Sequence, residues 1–302
     1  MSRHYTTTRA RGLAPWSPKR KTVALLAQVG EVLDEYRDHL PLTCRQIFYR
    51  LVGKYGYDKT EQAYCRLLET LNRARRAKLV SFKAIRDDGV VVNAPGGFYD
   101  KADFIAAVRR SADAYRRDRL AEQSVAVEVW VEAGGMVPQA ARVAHFYGIP
   151  VYSSGGFDSL TTKHDAAERF IDRVTPTVVL HLGDMDPSGL SIFDSAEEDV
   201  SRLAADLSGI EDVSDLVEFR RVAVTPEQVE RYGLETAPPK RTDRRGNWTG
   251  GTVQLEALAP DDLARELRDA IHDVIDLDAL EVTIEDEERE RVELVEQFAA
   301  AG

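Results

Sequence analysis

His181-Leu182-Gly183-Asp184-Met185-Asp186-Pro187-Ser188-Gly189 is the stretch on which the fold turns. Thr177–Leu182 reads TVVLHL, a short apolar run rich in β-branched residues, which predicts a buried parallel strand. Gly183 ends that run. Pro187 cannot extend a central strand, and Ser188 can cap a helix starting near Gly189. Asp184 and Asp186 therefore fall at the carboxyl end of a strand, where open α/β sheets place their ligands. Side chains two apart on extended backbone point the same way, so both acids can face one hard cation such as Mg²⁺ or Mn²⁺. The plain alternative is a polar strand-to-helix turn that binds nothing.

A second acid favours the metal reading. Ser124–Val131 (SVAVEVWV) is another expected strand, with Glu132 at its end and Gly134-Gly135 opening a helix. Glu132 precedes Asp184 by roughly fifty residues, room for two strand–helix units. The local forms W-V-E-A-G-G-M and G-D-M-D-P-S-G-L-S-I resemble the Toprim domain shared by topoisomerases, bacterial-type primases and some nucleases. Within that group they look most like the A subunit of type IIB topoisomerases (topoisomerase VI) and its meiotic double-strand-break relative. One residue departs from the pattern. The family usually has Lys after the Glu, and Ala133 stands there, which puts the phosphate contact of that Lys in doubt.

The 302 residues allow one or two domains with a real core. An apolar content of 43% with 30% charged residues indicates a soluble globular chain. No run of about 18 apolar residues is present, so no membrane span is expected, and the N-terminus lacks an apolar signal core. Cys44 and Cys65, isolated in expected helices, make neither a disulfide framework nor a zinc cluster and fit a reducing cytoplasm. The net charge of −11 hides an asymmetry. Residues 1–120 hold 24 Lys and Arg against 13 Asp and Glu, net +11; residues 121–302 hold 16 against 38, net −22. A basic first part joined to an acidic second part suits a nucleic-acid-binding module beside a metal-binding one. Charge variation without function is the alternative.

Along the chain, residues 1–21 read as a basic tail broken by Pro15 and Pro18. An amphipathic helix is expected over Thr22–Arg37. Thr43-Cys44-Arg45-Gln46 has the form of a capping box opening a second helix that stops at Gly53. A third helix is expected over Thr60–Lys78, with Tyr64, Leu67, Leu68 and Leu71 as its buried stripe. Its Arg66 and Arg73 share a face, extended by Arg75, Arg76 and Lys78. Short strands near Phe82–Ile85 and Val90–Asn93, joined by Asp87-Asp88-Gly89, form an expected hairpin. Three helices and a hairpin predict a winged helix over 22–93, its third helix entering the major groove of double-stranded DNA. A merely solvated basic face is the alternative.

Residues 94–123 read as a helical connector, with a helix over Lys101–Gln123. An α/β domain with a Toprim-like parallel sheet is expected over 124–270. It has strands near Ser124–Val131, Ile149–Tyr152, Thr177–Leu182 and Leu216–Val224, and helices near Val137–Tyr147, Leu160–Arg173 and Leu190–Leu207. Within it, loop 235–251 carries Lys240, Arg241, Arg244 and Arg245, a further DNA-binding candidate. Thr252–Leu258 resembles the E-L-E-A-L stretch that follows the Toprim core in the A-subunit family. Residues 271–302 are expected to be acidic and helical.

The same resemblance marks a nucleophile. Family members carry a catalytic tyrosine in an R-D-I-Y/F-Y context, and Arg45-Gln46-Ile47-Phe48-Tyr49 matches it with Gln46 in place of Asp. Tyr49 thus becomes the candidate nucleophile. Arg45, four residues earlier, shares its helix face and can hold a phosphate. Taken alone, Tyr49 reads more simply as a core or rim tyrosine. The resemblance implies Mg²⁺-dependent DNA cleavage through a 5′-phosphotyrosyl link, with Glu132, Asp184 and Asp186 holding the metal. It also implies a homodimer in which the tyrosine of one protomer faces the metal of the other. No ATPase element is recognisable, and a B-type ATPase subunit is not indicated. The expectation is a stand-alone, nucleoid-associated mini-A homologue. A Toprim nuclease that uses water, and a catalytically silent DNA-binding protein, remain as alternatives.

Overall fold

The computed structural model describes residues 14–86, 96–153, 160–173, 175–210, 212–238 and 250–300. Three helices open it: α1 (Arg20–Glu35), α2 (Cys44–Tyr55) and α3 (Glu61–Arg76). Their apolar faces meet in one core built on Val29, Val32, Ile47, Leu51, Leu67 and Leu71. The Thr43 capping box forms as expected. Gln46 N–H donates to Thr43 Oγ1 at 3.1 Å, and Thr43 N–H donates to Gln46 Oε1 at 2.9 Å.

Several expected boundaries move. The first helix spans Arg20–Glu35, not Thr22–Arg37. The second runs through Gly53 to Tyr55, because the left-handed residue that ends it is Gly56 (φ 63°). Tyr55 is therefore on the same helix as Tyr49. On α3 the buried positions are Ala63, Leu67, Leu71 and Ala74, while Tyr64 and Leu68 are only half-buried.

The expected strand at Phe82 is instead a 3₁₀ turn, Phe82–Ala84, whose Ser81 Oγ accepts from Lys83 N–H at 3.2 Å. That local bond competes with strand pairing. Only β2 (Ile85–Arg86) is extended, and it pairs in parallel with β1 (Leu42–Thr43). The expected second strand, Val90–Asn93, lies outside the described residues.

Helix α4 (Lys101–Asp113) ends ten residues short of the expected Gln123. The chain beyond it is captured by α10 (Leu277–Ala300). Arg119 forms a two-pronged pair with buried Glu287 at 2.7 and 3.0 Å, and Arg117 meets Asp286 at 2.6 Å. Gln123 and Asp276 exchange side-chain-to-backbone bonds at 2.9 and 2.7 Å. Backbone drawn onto a neighbouring helix by these pairs cannot continue its own.

The second core surrounds a parallel sheet of β3 (Ala126–Val131), β4 (Val151–Ser153), β5 (Thr177–Leu182) and β6 (Val217–Ala223), in the order β4-β3-β5-β6. Alternation divides the side chains. Val127, Val129 and Val131 face α5 (Val137–Ala144) and α9 (Pro260–His272), while Trp130 and Val179 face α6 (Leu160–Asp172) and α7 (Pro187–Ser208). Helices on both faces of a parallel sheet define an α/β fold. Strand order reverses between β3 and β5, and at that switch point such sheets leave a crevice beyond their carboxyl ends. A short helix, α8 (Pro226–Arg231), follows β6. Among the described residues no helix is long and apolar enough to cross a membrane.

Candidate active site

Glu132 follows β3, and Asp184 and Asp186 follow β5, so the fold brings all three acids to the switch point. Asp184 N–H donates to Glu132 Oε2 at 3.0 Å. The Glu132 carboxylate lies against two glycines: a Cβ at Gly183 would stand 2.7 Å from Oε2, and one at Gly189 would stand 3.0 Å from it. The Gly189 Cβ would also meet the Asp184 carbonyl oxygen at 2.5 Å. Both glycines are therefore required by close approach. Burial, with the nearby Asp184 and Asp186 carboxylates, pushes the Glu132 carboxyl up to about 7.

The two aspartates do not sit on extended strand. The strand stops at Leu182, Met185 makes a bridge with Val253, and Asp186 rather than Ser188 caps α7, its Oδ1 accepting from Gly189 N–H at 2.7 Å. Asp186 nevertheless keeps an extended backbone (φ −145°, ψ 167°), with Met185 before it held in that bridge. Asp184 Oδ1 accepts from Leu255 N–H at 2.8 Å. Among the described residues, the one trio of His, Cys, Asp or Glu ligand atoms all within 4.8 Å of one another is His164, Asp165 and Glu168 on α6. The three acids are thus neighbours but not a closed ligand set. Their donors are all carboxylate oxygens, the chemistry a hard divalent cation takes. Oε1 of Glu132 and Oδ2 of Asp186 have no hydrogen-bond partner among the described residues. In donor type and burial the acids fit Mg²⁺ or Mn²⁺.

Sequence reading missed two neighbours in the sheet. Arg221 on β6 lies in register with His181 on β5. Burial holds the Arg221 guanidinium below its ordinary range, against the pull of Glu132, Asp184, Asp194 and Asp186. His181 is almost fully buried with its ring tilted against Phe193 at 4.8 Å, and burial pushes its imidazole down to about 3, so it is neutral. Both lie in strand alternation, which carries no signal of a polar role.

Tyr49 is joined to this acid turn through one short strap. Its hydroxyl donates to Gln254 Oε1 at 2.7 Å, a contact across 205 residues, while the next residue, Leu255, donates to Asp184. Arg50 donates to the Ala257 carbonyl. Glu256, between these contacts, is buried, and burial and Asp184 raise its carboxyl. The T-V-Q-L-E-A-L pattern singled out this strap without assigning it to the site. Burial pushes the Tyr49 phenol up to about 12, against the opposing effect of Arg45. Arg45 lies 5.3 Å from the Tyr64 ring. Tyr49 also lines an open cleft with Tyr36, Lys54 and Tyr232. Buried Gln46 donates to Gln139 Oε1 on α5 at 2.6 Å, a second tie between helix and sheet domain.

The basic side chains of α3 divide. Arg66, Arg73 and Lys78 are exposed, Arg73 beside Glu69 at 2.9 Å. Arg75 and Arg76 are half-buried, Arg75 5.8 Å from the Phe82 ring and Arg76 donating to Asn72 at 2.8 Å. Lys240, Arg241, Arg244 and Arg245 lie outside the described residues.

Fold and site together define an α/β chain with three acids at the switch point of its sheet and a tyrosine-bearing helix tied to them. No family model, characterised protein or solved structure matches the chain.

Proposed function

We propose that the chain is a metal-dependent DNA-cleaving enzyme of the type IIB topoisomerase A-subunit kind, with Tyr49 as nucleophile. The observation that carries this reading is the strap: Gln254 and Leu255 join the Tyr49 hydroxyl to Asp184 within one chain. Glu132, Asp184 and Asp186 would hold Mg²⁺ or Mn²⁺, which supplies a Lewis acid for the phosphate oxygens. Tyr49 Oη forms a bond to phosphorus as the bond from phosphorus to the 3′-oxygen breaks. The phenol gives up its proton and the 3′-oxygen gains one. Arg45 offsets the charge that develops on the phenol and the phosphate. The exposed Arg66, Arg73 and Lys78 bind the backbone of duplex DNA. Two protomers acting together would cut both strands, and without an ATPase partner the reaction stops at cleavage and rejoining.

A second reading is favoured by one observation. The Tyr49 hydroxyl is held by a neutral acceptor and its phenol is pushed up to about 12, which suits a structural tyrosine. Water would then attack at the same acids, as in a Toprim nuclease. Denaturing electrophoresis of end-labelled duplex after incubation with Mg²⁺ separates the two. Protein-linked 5′ ends support transesterification and free ends support hydrolysis, while intact DNA contradicts both.

A further inference from the structure

We propose that Arg221 is a positioning residue of the acid site, holding the Gly183–Asp184 backbone in the course that presents Asp184 to a divalent cation. The inference rests on the reading of Glu132, Asp184 and Asp186 as metal ligands.

An arginine among carboxylates ordinarily pairs with one of them through its planar fork. Arg221 does not. All three hydrogen bonds its guanidinium makes among the described residues go to backbone carbonyls. Nη2 donates to Gly183 O at 3.2 Å and to Asp184 O, and Nε donates to Val224 O at 3.4 Å. Nη1 is buried without a partner. The guanidinium carbon lies 6.0 Å from the Phe193 ring, so the head group is backed by an aromatic face.

The consequence falls on Asp184. Its N–H is held by Glu132 Oε2, its carbonyl by Arg221, and its side-chain Oδ1 by Leu255 N–H. The residue is thus fixed at three atoms by three different segments: the turn after β3, β6 and the strap. Groups that orient a metal ligand in this way commonly change metal affinity by about 10- to 100-fold when removed.

Charge and position act in opposite directions, which makes the role testable. If Arg221 were only a positive charge beside the acids, its removal would strengthen cation binding. If it positions Asp184, its removal weakens binding. Titration calorimetry with Mn²⁺ alone, on the full chain without DNA, reads the sign directly. Arg221→Met should bind Mn²⁺ about 10-fold or more weakly than the wild type. Arg221→Lys keeps the charge but offers one ammonium in place of a fork, and should be intermediate. Thermal unfolding and near-ultraviolet circular dichroism check that each variant is folded. Should Arg221→Met misfold, the lysine variant alone decides, because weaker binding there cannot come from lost charge. Equal or tighter Mn²⁺ binding by a folded variant overturns the positioning role. Absence of Mn²⁺ binding by the wild type is a different result: it overturns the metal-ligand reading itself.

Discussion

Glu128 on β3 and Glu132 just past its end are four residues apart and do opposite things. Glu128 is fully buried and completely partnered. Trp130 Nε1 donates to it at 2.8 Å, Arg169 at 3.2 and 3.3 Å, and Arg173 at 2.7 Å. Among the described residues Glu132 accepts one backbone N–H, and its nearest charged neighbours include two further carboxylates. A buried acid saturated with arginine belongs to the scaffold. A half-buried acid with two further carboxylates beside it, only partly offset by Arg221, is held up to about 7 and has capacity for a cation from outside. Residue type does not separate the two; Glu128 is fully buried and Glu132 half-buried, and their partners differ.

The contrast breaks first at Glu128. Removing that carboxylate as Glu128→Ala strands two arginines, and the cost should be about 3–5 kcal/mol in urea unfolding. A loss below about 1 kcal/mol would mean that the two glutamates are not different in kind. Glu132 should behave in the other direction. Its folded carboxyl is raised from 4.5 to about 7, so between these values the folded state holds a proton that the unfolded state has lost. Metal-free stability should therefore fall as pH rises from 4.5 towards 7, by on the order of 2 kcal/mol once solvent screening is discounted. Glu132→Gln should flatten that slope and abolish Mn²⁺ binding in calorimetry.

Tyr49 can be placed on either side of the comparison. Tyr49→Phe loses one hydrogen bond to a neutral partner, so unfolding should shift by about 1 kcal/mol or less. Protein-linked DNA should nevertheless disappear completely. The smallest effect concerns the exposed charges of α3. Neutralising Arg66 and Arg73 together should weaken binding to every duplex sequence, and the plot of log affinity against log salt should flatten by about 0.9 for each phosphate no longer neutralised. An unchanged slope would remove α3 from the DNA interface.

How far this division could be read from sequence depends on the range of the contacts. Strand β5 and the placing of Asp184 beyond it follow from a local apolar run and a glycine, and β5 appears at its expected bounds. The Thr43 capping box is equally local. The boundary at Gly56 was missed because two glycines can end the helix and only backbone conformation selects one. Arg221 and Gln254 were missed for another reason. Each reaches the site from a segment distant in the chain, across 37 and 205 residues, and nothing in the alternation of β6 or the polarity of the strap announces the partner. Glu128 and Glu132 were equally invisible as opposites, since the arginines that neutralise Glu128 come from α6 and the chain just after it, across 41 and 45 residues.

The most direct test maps the covalent adduct. The full chain is incubated with Mg²⁺ and duplex DNA, trapped by denaturant, digested with nuclease and protease, and examined by tandem mass spectrometry. A nucleotide-phosphate adduct on Tyr49, absent when EDTA is present and absent from Asp184→Ala, is the expected result. Cleaved DNA with no adduct on any peptide, or an adduct on Tyr55 or Tyr57 instead, would contradict the assignment of Tyr49 as the nucleophile of this acid site.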